Sequence, residues 1–280
     1  MADYLKPSTL QDAILLAGRE GMRLAAGCTD LFPATPGQTL GGPILDLTAI
    51  DSLSGISRSA NGWRIGAATT WAALQRAELP PAFDGLKAAA KEVGSVQIQN
   101  AGTIGGNLCN ASPAADGVPP LLTLNAEVEL ASLAGSRRLG LGEFLTGPRK
   151  TALRAGEILA AIHVPEVRGQ GGFLKLGARR YLVISIAMVA ARIVAEGGIV
   201  TEAALAVGAC SSVAVRLAAQ EAALLGAPLA ALGDHIRPDM VEPYLSPIPD
   251  IRADAAYRAG SATELLRRVV SACGTNAGEP

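Results

Sequence analysis

The sequence predicts an α+β protein: two small α/β units in succession, then a separate α+β module. Three observations carry the prediction. Up to about residue 176, short strand-like apolar runs alternate with stretches of helical periodicity. The alternation starts afresh near Gly62, and beyond about residue 177 it gives way to two long alanine- and valine-rich runs.

From the start of the chain, Ser8 or Thr9 can cap a helix running to about Glu20, with Leu10, Ile14, Leu15 and Leu16 on its buried side. Residues 23–26 and 44–47 read as strands, with the small, polar turn Gly27-Cys28-Thr29-Asp30-Leu31 after the first, so the opening unit is β-α-β-like. Pro36-Gly37 and Gly41-Gly42-Pro43 punctuate it. In the second round residues 63–68 form a strand, Thr70 caps a helix over 71–77, and Phe83, Leu86, Ala90 and Val93 recur at helical spacing. A short helix is expected at 121–124, strands at 126–131, 158–164 and 173–176, and a flexible connection at 169–172. In the last module, residues 183–194 and 199–210 read as a hairpin of long strands turning at Glu196-Gly197-Gly198, with helix an alternative for the first because of its alanine content. Residues 214–225 and 261–273 have the composition of helices, and 238–249 is a proline-rich connector.

The densest polar stretch is QIQNAGTIGGNLCNASPAAD at 97–116, where Thr103, Gly105, Gly106 and Asn107 are followed by Asn110, Ser112 and Asp116. Glycine lets a diphosphate come close to the main chain, whose successive N–H groups can donate to its oxygens. Thr103 and Asn107 add side-chain donors, while Asp116 accepts only and suits sugar hydroxyls. A tight turn followed by a proline-broken loop would explain an isolated glycine pair. The density of polar groups favours a phosphate and sugar site.

Composition excludes other classes. The chain has 280 residues, 49% hydrophobic and 18% charged, with 24 Lys and Arg against 25 Asp and Glu and a net charge of −1. No charge run offers a nucleic-acid or anionic-membrane surface. The apolar runs are too short to cross a bilayer, and residues 1–18 lack a basic start, apolar block and cleavage site. Cys28, Cys109, Cys210 and Cys273 are widely spaced, without metal-ligand or disulfide patterning, so a reducing, cytoplasmic location is expected and no metal centre on this chain. His163 and His235 lack a nucleophile or metal-spaced companion and read as structural, Trp63 and Trp71 read as packing, and no constellation suggests hydrolysis.

The order and spacing of the two polar turns resemble the FAD-binding medium subunit of the molybdenum hydroxylases, the xanthine and carbon monoxide dehydrogenase family, over essentially the whole chain. AAGCTDL at 25–31 is similar to the first FAD segment and TIGGNLCNASPAAD at 103–116 to the second. Residues 148–165 and 173–180 resemble a strand pair bordering the flavin, and RADAAYR at 252–258 the closing helical segment. The resemblance implies an FAD-binding fold of the PCMH type, with α/β subdomains over 1–55 and 56–176, and a C-terminal α+β domain over 177–280 like that of the carbon monoxide dehydrogenase flavoprotein.

Carried over residue by residue, the backbone of Ala25, Ala26, Gly27, Cys28, Thr29, Asp30 and Leu31 would wrap the diphosphate, with the Thr29 hydroxyl added. Thr103, Gly105, Gly106 and Asn107 would hold it from the other side, and Asn110 and Asp116 would meet ribityl or ribose hydroxyls. Leu159 with Ile158 would pack on the isoalloxazine ring, and Lys175 would approach its pyrimidine end, where a cation stabilises the charge that reduction brings. Arg149 is a weaker candidate, and Tyr181 an aromatic for the flavin edge. Cys28 stands where the family commonly has Gly or a small polar residue. The family binds its flavin non-covalently, so Cys28 and Cys109 read as buried thiols. The stretch after Lys175 lacks the acidic pair of some NAD-reducing relatives.

The function implied is electron transfer: a partner's molybdenum centre oxidises the organic substrate, [2Fe-2S] clusters on a small subunit relay electrons, and FAD on this chain delivers them to an external acceptor. The partners implied are an iron–sulfur small subunit and a molybdopterin-binding large subunit, as a heterotrimer or a dimer of heterotrimers. Two alternatives stand beside it, a self-contained flavin oxidoreductase on the same fold and a non-enzymatic interaction module.

Overall fold

The computed structural model describes residues 3–37, 40–180 and 182–277. Its first unit contains strand β1 (Tyr4–Leu5), helix α1 (Leu10–Ala17), β2 (Arg23–Ala25) and β3 (Ile44–Asp46), the strands forming a parallel sheet in the order β1-β3-β2. Thr9 caps α1, its Oγ1 accepting from the Asp12 N–H at 3.1 Å. The helix ends at Ala17 rather than Glu20, because Gly18 takes the C-cap. Ala13 is its fully buried residue, whereas Leu15, expected inside, is 55% exposed. Asp46 anchors the sheet's end: its Oδ1 accepts from Thr48 N–H at 2.8 Å and Thr48 Oγ1 at 2.7 Å, and its Oδ2 takes the Tyr4 hydroxyl and lies 3.2 Å from Lys6 Nζ.

The second unit runs β4 (Ile56–Ser59), β5 (Gly62–Gly66), α2 (Trp71–Arg76), α3 (Asp84–Glu92), α4 (Val96–Ala101), α5 (Ile104–Asn110) and α6 (Val118–Thr123). It continues with β6 (Glu127–Ser132), β7 (Gly135–Gly140), α7 (Leu141–Phe144), β8 (Leu145–Gly147), β9 (Lys150–Thr151) and β10 (Ile158–Val164). Five strands form an antiparallel sheet, β4-β5-β10-β6-β7, and β8 pairs with β9. The apolar run of β10 makes it the central strand, buried on both faces. Thr70, Ser95 and Thr103 each cap a helix by accepting from the N–H three residues on. The edge strands β4 (ISRS) and β7 (GSRRLG) carry no apolar alternation and escape sequence reading; each needs only one paired side.

The last module has β11 (Gln170–Leu176), β12 (Ala187–Glu196), β13 (Ile199–Gly208) and β14 (Val215–Arg216) in sequential antiparallel order, with α8 (Ala218–Leu224), α9 (Pro238–Val241) and α10 (Ala255–Ala277). The expected hairpin forms, turning through Gly197 and Gly198 at φ +59° and +80°. The segment 214–225, expected as one helix, splits into β14 and α8; α9 interrupts the proline-rich connector, and the last helix starts at Ala255.

The flexible connection expected at 169–172 is instead the start of β11. Its glycines are there for room. A Cβ on Gly171 would lie 2.4 Å from the Ala82 carbonyl oxygen, and one on Gly172 2.8 Å from Cys273 Sγ of α10, so the strand is squeezed between the two. By sheet membership residues 170–176 go with the C-terminal strands, ahead of the break read at 177.

Two arginines join the C-terminal sheet to the middle unit. Buried Arg192 of β12 donates from Nε to the Thr123 carbonyl at 3.0 Å, and Arg216 of β14 from Nη1 to the Leu122 carbonyl at 2.8 Å. Both meet the C-terminal end of α6, where cations compensate unpaired carbonyls. Buried Arg258 of α10 donates to the Ile186 and Ala209 carbonyls and pairs with Asp250 at 2.7 Å.

Candidate functional site

A cavity of about 870 Å³ opens where the three units meet. Residues 25–31, Thr103, Gly105, Gly106, Asn107, Asn110, Asp116, Ile158, Leu159 and Lys175, together with Arg149, all line it. So do residues that sequence reading did not single out, among them Leu24, Ala67, Ile98, Leu182, Val183 and Ile184. Leu182 and Ile184 are both 53% exposed; Ile184 falls within the strand reading of 183–194, whose strand starts only at Ala187, and Leu182 lies just before it. Trp71, read as packing, is fully buried yet also reaches the wall. Tyr181 lies outside the described residues.

The two polar stretches touch. A Cβ on Gly27 would fall 2.0 Å from the carbonyl oxygen of Ala101 at the end of α4, and one on Gly102 would fall 3.3 Å from Thr29 Oγ1. Only glycine permits this approach.

Their main chains are differently committed. At the start of α5, the Ile104 N–H donates to Thr69 O at 3.0 Å and the Gly105 N–H to Ala67 O at 2.8 Å. The Gly106 N–H donates to Thr103 Oγ1 at 3.0 Å, and the Asn107 N–H to Thr103 O at 3.0 Å. The expectation that successive amides of this stretch are open to a diphosphate is therefore corrected for residues 104–107: the segment is a helix start docked on residues 67–69, with two of these N–H groups taken by that docking and two by Thr103 itself. By contrast, the N–H groups of residues 27–31 find no acceptor among the described residues. Cys28 takes left-handed backbone at φ +56° in the middle of this run, the type of turn whose successive N–H groups can bind an anion. The Thr29 hydroxyl also has no partner among the described residues.

Around the rim, Asn110 Oδ1 accepts from the Arg149 guanidinium, and the Arg149 N–H donates to Ala111 O at 2.8 Å. Ala111, Arg149 and Leu182 share left-handed backbone with Cys28, at φ +45°, +58° and +53°. Such conformations collect at ligand sites, where the surroundings over-determine them. Asn107 Oδ1 is buried without a hydrogen-bond partner among the described residues. Ile158 and Leu159, 0% and 5% exposed, give an apolar wall, and the β10–β6 register shifts just after Leu159.

Asp116, expected at sugar hydroxyls, has both oxygens engaged by the protein: Oδ2 by Lys175 Nζ at 2.9 Å and Oδ1 by Ser185 Oγ at 3.0 Å. Burial pushes its carboxyl above the usual range, and the Lys175 charge and the two hydrogen bonds pull back only part of this. Asp46, behind the first turn, goes the other way. Burial raises it, but the hydrogen bonds from Tyr4 and Thr48, with Lys6 alongside, outweigh that and hold it low. Of the two thiols expected to be buried, Cys28 is half-buried and bonds to Ala26 O at 3.4 Å, while Cys109 is exposed. Burial raises the Cys28 thiol, which keeps it protonated and unreactive. His163 pairs with Glu129 at 2.6 Å, away from the cavity.

Among the described residues no three His, Cys, Asp or Glu side chains gather as metal ligands, and no helix is long and apolar enough to cross a membrane. What the cavity suits is an extended, two-ended ligand. Its lining offers main-chain N–H groups without an acceptor among the described residues for an anion, an apolar wall at Ile158 and Leu159, and the ammonium of Lys175. A dinucleotide with a flat ring brings a diphosphate for the amides and an apolar face for the wall, and the residues fit it.

Comparison with known proteins agrees. Residues 1–167 match the FAD binding domain in molybdopterin dehydrogenase, and residues 173–273 the CO dehydrogenase flavoprotein C-terminal domain. The chain is 32% identical over 278 residues to a putative xanthine dehydrogenase FAD-binding subunit of Escherichia coli K12, covering 96% of this chain and 95% of that one. It is 31% identical over 261 residues to the glyceraldehyde dehydrogenase medium chain of Sulfolobus acidocaldarius, covering 91% and 92%. Its fold matches a chain of the reconstituted CO dehydrogenase from Oligotropha carboxidovorans with a TM-score of 0.89 at 28% identity, over 98% of each chain. This chain therefore belongs to the family of FAD-binding medium subunits of the molybdenum hydroxylases.

Proposed function

We propose that this chain holds one FAD in the cavity and relays electrons through it, from [2Fe-2S] clusters on a small partner subunit to an external acceptor, while a molybdopterin-binding large subunit oxidises the organic substrate. The assembly would be a heterotrimer or a dimer of heterotrimers in the cytoplasm. The observation that carries the reading is one cavity shared by residues 25–31 and by Thr103, Gly105, Gly106 and Asn107, with a run of main-chain N–H groups that find no acceptor among the described residues on one side of it.

In this reading the N–H groups of residues 27–31 bind the diphosphate and the Thr29 hydroxyl adds a donor. Thr103, Gly105, Gly106 and Asn107 face it from across the cleft, contributing close approach and side-chain groups, while the main-chain amides of residues 104–107 stay committed to the protein. Asn110, held by Arg149, borders the sugar region, and Asp116 supports that region from the wall. Ile158 and Leu159 pack against the ring and exclude water, and Lys175 stands at its pyrimidine end. When bound, the flavin supplies two-electron storage with one-electron exchange; the chain's share is distance, orientation and potential.

Purified protein is expected to show a flavin absorption spectrum that dithionite bleaches, and to bring down a molybdenum-cofactor subunit and an iron–sulfur subunit when isolated from its own cells. A clean preparation that neither contains nor takes up FAD would refute the assignment.

A further inference from the structure

The cavity wall carries a buried ion pair whose halves come from different parts of the fold. Asp116 precedes α6 and Lys175 lies near the end of β11; their charged atoms are 2.9 Å apart, and the side chains are 10% and 7% exposed. The second carboxylate oxygen accepts from Ser185 Oγ at 3.0 Å, so the group cannot turn without breaking one of two bonds. The ammonium's other contact is the Glu92 carbonyl at a long 3.5 Å. The carboxylate therefore decides where the ammonium sits.

Resting on the reading that the cavity holds FAD, we propose that Asp116 is a positioning residue acting through Lys175: it fixes the ammonium at the wall and offsets its charge, so that the pair, rather than the lysine alone, sets how readily the bound flavin is reduced. A lone ammonium in a dry wall favours a ring that gains negative charge on reduction. A carboxylate in contact with that ammonium opposes the effect. The two side chains thus act with opposite sign.

The test is a potential titration of the full chain followed by flavin absorbance, with dithionite as electron donor, buffer as proton source and a reference dye. Asp116→Asn is expected to raise the midpoint potential and Lys175→Met to lower it, each by at least a tenfold change in the ratio of reduced to oxidised flavin, about 30 mV for a two-electron couple. The uncharged double variant is expected to return towards the parent, and it decides the matter if Asp116→Asn does not fold alone. A purely structural Asp116 would change thermal stability and FAD affinity without this opposition of sign. Single variants that move the potential in the same direction, or a double variant that stays as low as Lys175→Met, overturn the proposal. A parent chain that takes up no FAD fails earlier, at the reading of the cavity, and takes this proposal with it.

Discussion

The turn at residues 27–31 and the stretch at Thr103–Asn107 look alike as sequence, each a small-residue segment with glycine, threonine and polar side chains, yet their main chains do opposite things. The first leaves its N–H groups without an acceptor among the described residues, around a left-handed Cys28; the second commits those of Ile104, Gly105, Gly106 and Asn107, two of them to residues 67 and 69. Glycine content alone therefore does not identify an anion cradle. In Gly27 and Gly105 the missing Cβ is what lets backbones meet, 2.0 Å from Ala101 O and 2.6 Å from Ala67 O had it been present. The lesson is to count committed amides before assigning a phosphate site.

The strongest way to break this comparison is to push the two stretches apart. Gly27→Ala is expected to cost about 3 kcal/mol or more, since the clash is with backbone, and to abolish stable FAD uptake. A variant with parental thermal stability and flavin content would mean that the turn is not pressed on α4. Gly106→Ala, whose Cβ would meet only Thr103 Oγ1 at 2.9 Å, should cost far less, about 1 kcal/mol.

Two threonines sharpen the contrast further. Thr103→Ala removes the cap on α5 and should lower stability by about 1 kcal/mol in urea unfolding, with or without FAD. Thr29→Ala should leave the unliganded chain as stable as before and weaken FAD binding by about 1 kcal/mol, roughly fivefold in Kd. If Thr29→Ala lowers the melting temperature of the unliganded chain, its hydroxyl has a protein partner after all. The smallest effect is expected from acid. Asp46, behind the first turn, titrates below its ordinary value, so its contribution is complete above about pH 4 and is lost as pH falls through the folded value. Urea midpoints measured downward from pH 5 should show this slope in the parent and a shallower one in Asp46→Asn.

Much of the fold was legible because its signals are local. Thr9, Thr70 and Thr103 accept from N–H groups three residues away, and the β12–β13 turn needs only its two glycines. The apolar run at 158–164 reads as a strand and forms one, and residues of both polar turns line one cavity. What escaped depends on neighbours remote in sequence. The strands β4 and β7 are held by pairing rather than by their own apolar pattern, and Gly171 and Gly172 belong to a strand because Ala82 and α10 leave no space beside it. Asp116 was read as an open acceptor, but Lys175 and Ser185, 59 and 69 residues further on, take both its oxygens.

By itself the sequence determined the caps, turns, strand-forming runs and the supply of small and polar residues at 25–31 and 103–116, since these follow from backbone preferences over three or four residues. Only the tertiary structure decided which of those polar groups remain free for a ligand. Hydrogen-bonding capacity is settled by whatever packs alongside, and the packing partners at residues 67, 69, 101, 175 and 185 are brought there by the fold.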